Sequence, residues 1–169
     1  MNKFFRIKKN IFEIEKLLTN PKESLPEDLF LFLTRVTPMV NVDLCIEDKK
    51  KGILLTWREK GEKTKAGWHF PGGIIRYKER KITRVQKVAQ NELNAKVKIN
   101  PKPLMVNEII LNQKNRSHFI SFLYKCNLIT SPKISEYRKG TVLKGMYKWF
   151  KKCPKNLIKT HKIYKVYFN

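Results

Sequence analysis

The residues best placed to do chemistry lie in one stretch, GWHFPGGIIRYKERKITRVQKVAQNELNA, from Gly67 to Ala95. Gly72 and Gly73 carry no Cβ, so their backbone can approach a ligand closely and offer bare amides and carbonyls. Beyond them Ile82, Val85, Val88, Ala89 and Leu93 recur at helical spacing, which predicts a helix over 79–93. Val88 and Glu92 then project from one face of it. A carboxylate beside glycine carbonyls is a set of hard oxygen donors of the kind Mg²⁺ takes, and Mg²⁺ would bridge them to a diphosphate. Spacing alone leaves two readings open, Glu92 as a metal ligand and Glu92 as a solvated surface group.

The elements that must hold this stretch can be read from apolar periodicity. Residues 10–19, NIFEIEKLLT, place Ile11, Phe12, Ile14, Leu17 and Leu18 at helical intervals, with Asn10 as N-cap. NPKESLPEDL breaks that pattern with two prolines. MVNVDLCIE (39–47) and ILLTWRE (53–59) read as a hairpin across DKKKG. In the first strand Asp43 alternates with Val40, Val42, Leu44 and Ile46, which makes it solvent-facing unless a sugar hydroxyl or Arg58 pairs it. KGEKTKAG reads as a charged loop and WHFPGG as a rigid turn, with Trp68 and Phe70 packing beneath the glycines. KVKIN, LMVNEIIL (104–111) and HFISFLYKCNL (118–128) follow as strands, the last two as a hairpin, and YKWF (147–150) as a short strand end. Residues 154–168 read as a final helix opened by Pro154, with His161 on its surface. The expected fold class is α/β (α+β), an α/β/α sandwich around a mixed sheet. We divide it into an N-terminal helical extension, 1–24, and one domain, 25–169, with a C-terminal helix.

The chain of 169 residues is 41% hydrophobic, enough for a full core, so it does not read as a disordered chain. No apolar run is long enough to span a bilayer, and MNKFFRIKKN is not followed by a secretory cleavage pattern. Cys45, Cys126 and Cys153 form no CxxC pair, which argues against zinc or a disulfide framework and for a reducing cytoplasm. Thirty-seven lysines and arginines against fourteen carboxylates give a net charge of +23. Past Glu92 the carboxylate side chains are Glu108 and Glu136 alone. Such a surface attracts polyanions, whether nucleic acid, anionic lipid or phosphorylated small molecules, although solvated lysines require no partner.

The spacing Gly73-x5-Glu79-x7-Lys87-x4-Glu92 resembles the Nudix box, G-x5-E-x7-R-E-U-x-E-E-x-G-U. Lys87 stands for its Arg, Val88 and Asn91 for two of its Glu, and Asn94 for its second Gly. The GDP-mannose mannosyl hydrolase branch also keeps only the last Glu of that segment. RVTPMVNVDLCIE (35–47), ILLTWRE, HFISFLYK (118–125) and MYKWF resemble segments of that branch as well. The resemblance implies the Nudix fold, Mg²⁺ as cofactor, the Gly72 carbonyl and the Glu92 carboxylate as metal ligands, and a homodimer. It implies substrate contacts at Asp43, Arg58 and His118, and an electrostatic role for Lys87. Arg76 would serve in place of the Arg that normally occupies position 74, here Ile74. The branch's metal-binding Gln and general-base His fall on Leu143 and Lys144, so the base is not identified. His69, Glu79 and Lys144 are the candidates, and Glu79 also has the reading of supporting the box helix.

Three functions follow as expectations. The first is an Mg²⁺-dependent hydrolase of a nucleoside diphosphate sugar, GDP-mannose-like, releasing sugar and nucleoside diphosphate. The second is a Nudix-fold module that binds a nucleotide sugar without turnover. The third is a basic scaffold associated with RNA or a ribonucleoprotein. Trp149 and the YKVYF aromatics are expected in the core or at a dimer contact.

Overall fold

In the computed structural model the described residues are 2–23, 25–61 and 65–168; positions 62–64 of the expected charged loop lie outside them. The order of elements is α1 (Lys3–Leu17), α2 (Glu27–Val36), β1 (Met39–Asp48), β2 (Gly52–Arg58), β3 (Gly67–His69), β4 (Gly72–Ile74), α3 (Lys81–Leu93), β5 (Val97–Ile99), β6 (Met105–Ile110), β7 (His118–Leu128), β8 (Tyr147–Phe150) and a 3₁₀ segment, Lys159–Tyr167.

β1 organises the mixed sheet. One edge runs parallel to β7, from Met39 opposite Phe119 to Ile46 opposite Cys126. The other edge is shared. Its first half pairs antiparallel with β4, Asp43 opposite Gly72, and its end pairs with β2, Glu47 opposite Ile53. β2 continues away from β1 to pair with β3 and β8. The sheet is thus split on one side, with β4 and β2 facing each other across the gap.

Strand alternation sends Val42, Leu44 and Ile46 to one face of β1, where they pack with Val85, Val88, Ala89 and Leu93 of α3. The opposite face carries Asp43 and Cys45, and it is buried too. Leu157 and Tyr164 of the C-terminal segment cover it, together with Phe70, Trp68 and Leu123. Residues 42–46 of β1 are therefore core on both faces, the condition under which alternation stops distinguishing inside from outside. The expected mixed sheet between helical layers, and the Trp68 and Phe70 packing beneath the turn, are what the structure has.

Four local expectations are corrected. The first helix starts at Lys3, capped by Asn2 rather than Asn10, whose side chain accepts from the Phe4 amide at 3.2 Å. A second helix, α2, follows Pro26; proline fixes an entry conformation and opens a helix as readily as it breaks one. The C-terminal segment is 3₁₀ rather than α-helical and begins at Lys159. Its inward residues, Ile158, His161, Tyr164 and Tyr167, recur every three positions, which is the 3₁₀ period. His161, expected on the surface, is buried.

Candidate functional site

Glu92 lies in the last turn of α3 and projects into the gap between β4 and β2. Its Oε1 accepts from the Gly72 amide at 3.0 Å, and its Oε2 accepts from the Thr56 hydroxyl at 3.0 Å. His69 Nε2 stands 3.4 Å from Oε2 and 3.3 Å from Thr56 Oγ1. Burial alone would raise the Glu92 carboxyl, but His69, the Gly72 amide and Thr56 outweigh it and hold it below the usual carboxylate range. Glu92 is thus an ionised carboxylate pinned to the glycine turn.

The pairing of β4 explains why Gly72 meets Glu92. Leu44 donates to the Pro71 carbonyl and Ile75 to the Val40 carbonyl, so residues 71, 73 and 75 turn their polar groups toward β1. Gly72 turns its amide and carbonyl the other way, toward the strand's unpaired edge, where Glu92 sits. A Cβ at Gly72 would collide with the Asp43 carboxylate, and one at Gly73 would stand 2.9 Å from Val88 Cγ2. Both glycines are required by close packing, and Val88 fills its position with an apolar contact.

The donors at this edge are the hard oxygens that Mg²⁺ prefers. Among the described residues no group of three His, Cys, Asp or Glu converges. Mg²⁺ does not need one, because it commonly takes one or two carboxylates and completes its shell with waters and substrate phosphates. Glu92 keeps a lone pair on each oxygen after its two protein hydrogen bonds, and the Gly72 carbonyl faces the same edge. These two groups fit a phosphate-bridging divalent cation.

Beneath Gly72 lies a second set of polar groups. Asp43, 2% exposed, accepts at Oδ2 from Ser121 Oγ at 2.6 Å and Tyr164 Oη at 2.7 Å. Asn41 Nδ2 donates to its Oδ1 at 3.2 Å. Burial is the largest influence on Asp43, and even with these donors and His69 nearby its carboxyl stays raised. His161 Nδ1 accepts from the Phe70 amide at 3.0 Å, which places its proton on Nε2, 3.8 Å from Asp43 Oδ1. Burial, then His69 and Arg58, push His161 well below the usual imidazole range, so it is neutral at neutral pH.

The remaining sequence candidates are spread more widely. Arg58 follows Thr56 by two residues on β2, so both face the gap, and its side chain is exposed. It makes no ion pair with Asp43, which has Ser121 and Tyr164 instead. Arg76 is half-buried in the turn after β4. Glu79 is clamped: its Oε2 takes Arg84 Nε at 2.6 Å and the Arg76 amide at 3.0 Å. Lys87 Nζ lies 3.0 Å from Glu79 Oε1, an ion-pair distance without the alignment of a hydrogen bond, so Lys87 turns toward Glu79. Burial acts first to raise the Glu79 carboxyl, but these donors leave it lowered. His118, at the start of β7, pairs with Glu108 at 2.9 Å. The β1–β7 register places it five residues from Leu123, the partner of Asp43, or about 16 Å along the strand. Lys144 is exposed, and its amide donates to Glu59 Oε1 at 3.1 Å.

The structure therefore brings Gly72, Glu92, His69 and Asp43 together, with Arg58 at the rim, and sets His118 apart. Sequence reasoning missed Thr56, Ser121, His161 and Tyr164. Thr56 was findable from its i, i+2 relation to Arg58. The others reach the site from β7 and the C-terminal segment and carry no local signal.

No protein-family model matches the sequence, and no curated protein does. Solved structures do. A MutT Nudix hydrolase from Burkholderia pseudomallei is similar with a TM-score of 0.59 at 19% identity, over 79% of this chain and 99% of that one. A UDP-X diphosphatase has a TM-score of 0.55 at 19% identity, over 98% and 79%. A MutT protein from Methanosarcina mazei Go1 has 0.51 at 19%, over 67% and 77%. The chain has the fold of the Nudix hydrolases.

Proposed function

We propose that this protein is a hydrolase of a nucleoside diphosphate sugar, acting with a divalent cation, Mg²⁺, at the edge formed by Gly72 and Glu92. The observation that carries the reading is the ionised Glu92 carboxylate held at 3.0 Å on the amide of Gly72, with the Gly72 carbonyl facing the same edge. When bound there, the cation supplies charge neutralisation for the departing diphosphate. Arg58 and Arg76 add fixed positive charge for the phosphates, and the net charge of +23 steers an anionic substrate inward. Of the candidate bases, Glu79 is occupied by Arg84 and Lys87, and Lys144 is exposed on the loop before β8. His69 is the group we assign to take the proton from water; its Nε2 is turned to Glu92 and Thr56, so the accepting atom is Nδ1. GDP-mannose is the sugar nucleotide that the resemblance of β1 and of the box favours, and the homodimer rests on the same resemblance. A reducing cytoplasm suits the three free thiols.

Nucleotide sugars incubated with the protein and Mg²⁺ should yield free sugar and nucleoside diphosphate. In ¹⁸O-labelled water the label should enter the sugar. Label in phosphate would place attack at phosphorus instead, and Glu92→Gln should lower turnover by about 100-fold or more. The second reading, binding without turnover, is favoured by His69 Nδ1, which is buried and has no partner. Calorimetric binding of GDP-mannose with no product over hours would select it. Binding of RNA but of no nucleotide sugar would select the scaffold reading.

A further inference from the structure

We infer that α1 is a membrane-surface anchor that docks the protein on an anionic lipid bilayer. None of its fifteen residues is buried, and it contributes nothing to either core cluster. Its apolar residues are nonetheless arranged for burial. Phe4, Ile7, Ile11 and Ile14 follow one another at three and four residues, so they form one stripe. Phe5 and Phe12, seven apart, form a second apolar ridge on the flank of the helix, separated from the stripe by Lys8 and Glu15. Phe4 is 77% exposed and Phe12 55%.

A lone helix of this length is marginal in water. At its N-terminal end Lys3 and Arg6 oppose the macrodipole with no acidic residue beside them, and the Asn2 cap and Lys16 in the last turn offset this only in part. An outside surface must therefore supply the burial that the rest of the chain does not.

The charges select that surface. Lys3, Arg6, Lys8, Lys9 and Lys16 stand against Glu13 and Glu15, and the whole chain carries +23. A second copy of α1 would set the same basic residues against one another across the apolar stripe, so self-pairing through this helix is disfavoured. Nucleic acid offers the negative charge but no apolar layer for phenylalanine and isoleucine. An anionic bilayer offers both. The helix would lie in the interface with its apolar stripe below the headgroups, while the lysines reach phosphate and carboxylate groups above. Fifteen residues span about 22 Å, too short to cross, and no helix among the described residues is long and apolar enough to do so.

The test is flotation of the whole chain with vesicles of phosphatidylcholine alone, or with about a third phosphatidylserine. Binding is expected only with phosphatidylserine, with a gain in helical circular dichroism. Ile7→Ser/Ile11→Ser, which leaves the charge unchanged, should reduce bound protein by more than about 10-fold through loss of apolar contact alone. Its thermal unfolding should be unchanged, since neither residue packs on the body. Equal binding of that variant would overturn the proposal and assign the attraction to body charge alone. Binding to neutral vesicles at the same level, or a dimer that Ile7→Ser/Ile11→Ser dissociates, would overturn it as well.

Discussion

Tyr164→Phe removes a single hydroxyl and keeps the ring, which packs edge-on to Phe70 with centroids 5.0 Å apart. The hydroxyl donates to Asp43 Oδ2 at 2.7 Å inside a buried cluster. A hydrogen bond to an ionised buried group contributes about 1.5–3 kcal/mol, and one to a neutral group about 0.5–1.5 kcal/mol. The cost of the substitution should therefore depend on the state of Asp43. The Asp43 carboxyl is raised, chiefly by burial. A raised carboxyl contributes stability that is fully present below its unfolded pKa and is lost as pH rises through the folded one. Removing the Tyr164 donor raises it further and deepens that loss. The stability difference between wild type and Tyr164→Phe should be small in acid, where Asp43 is protonated and can itself donate to Ser121. It should step up as Asp43 ionises. For a chain of this size about 2 kcal/mol corresponds to roughly 4–8 °C in melting temperature. Urea unfolding of both proteins from pH 4 to 8 reads the difference directly, because other titrating groups are common to the two. A difference that stays flat across that range would refute the argument that Tyr164 stabilises the Asp43 carboxylate.

Glu79→Gln should destabilise the protein by about 3–5 kcal/mol, because Arg84, 11% exposed, loses its buried partner at 2.6 Å. Turnover per folded molecule should fall by less than about 100-fold, the range of a supporting residue; a larger loss, on the general-acid–base scale, would make Glu79 the base after all. Asn91→Glu restores the acidic residue that the Nudix-box resemblance has at this exposed position, so it should tighten Mg²⁺ binding in calorimetry without changing the melting temperature by more than about 2 °C. Unchanged affinity would mean that the Glu92 edge is not where the cation binds.

What could be read ahead of the structure was local in sequence. The α3 stripe, the β1–β2 hairpin and the β6–β7 hairpin each carry their period within a dozen residues, and each is present. The meeting of Gly72 with Glu92 came from the resemblance to the Nudix box, because spacing alone left Glu92 open between a metal ligand and a solvated surface group. Asp43 is the opposite case. Its alternation with Val42 and Leu44 pointed to solvent, and only chain 78 and 121 residues away, at Ser121 and Tyr164, reverses that. A polar residue in the middle of a strand is informative about its cover, because a buried carboxylate without donors would cost several kcal/mol and would not persist. The period of three through His161 and Tyr164 emerges only once the structure shows which residues of the segment turn inward, and the sequence alone read it as an α-helix. Asp43 in turn forbids a side chain at Gly72, and Gly72 without a side chain is what lets its amide reach Glu92. The distant C-terminal segment thereby bears on the metal edge through two contacts, one polar and one steric, and Tyr164 belongs to the same construction as Glu92 although neither touches the other.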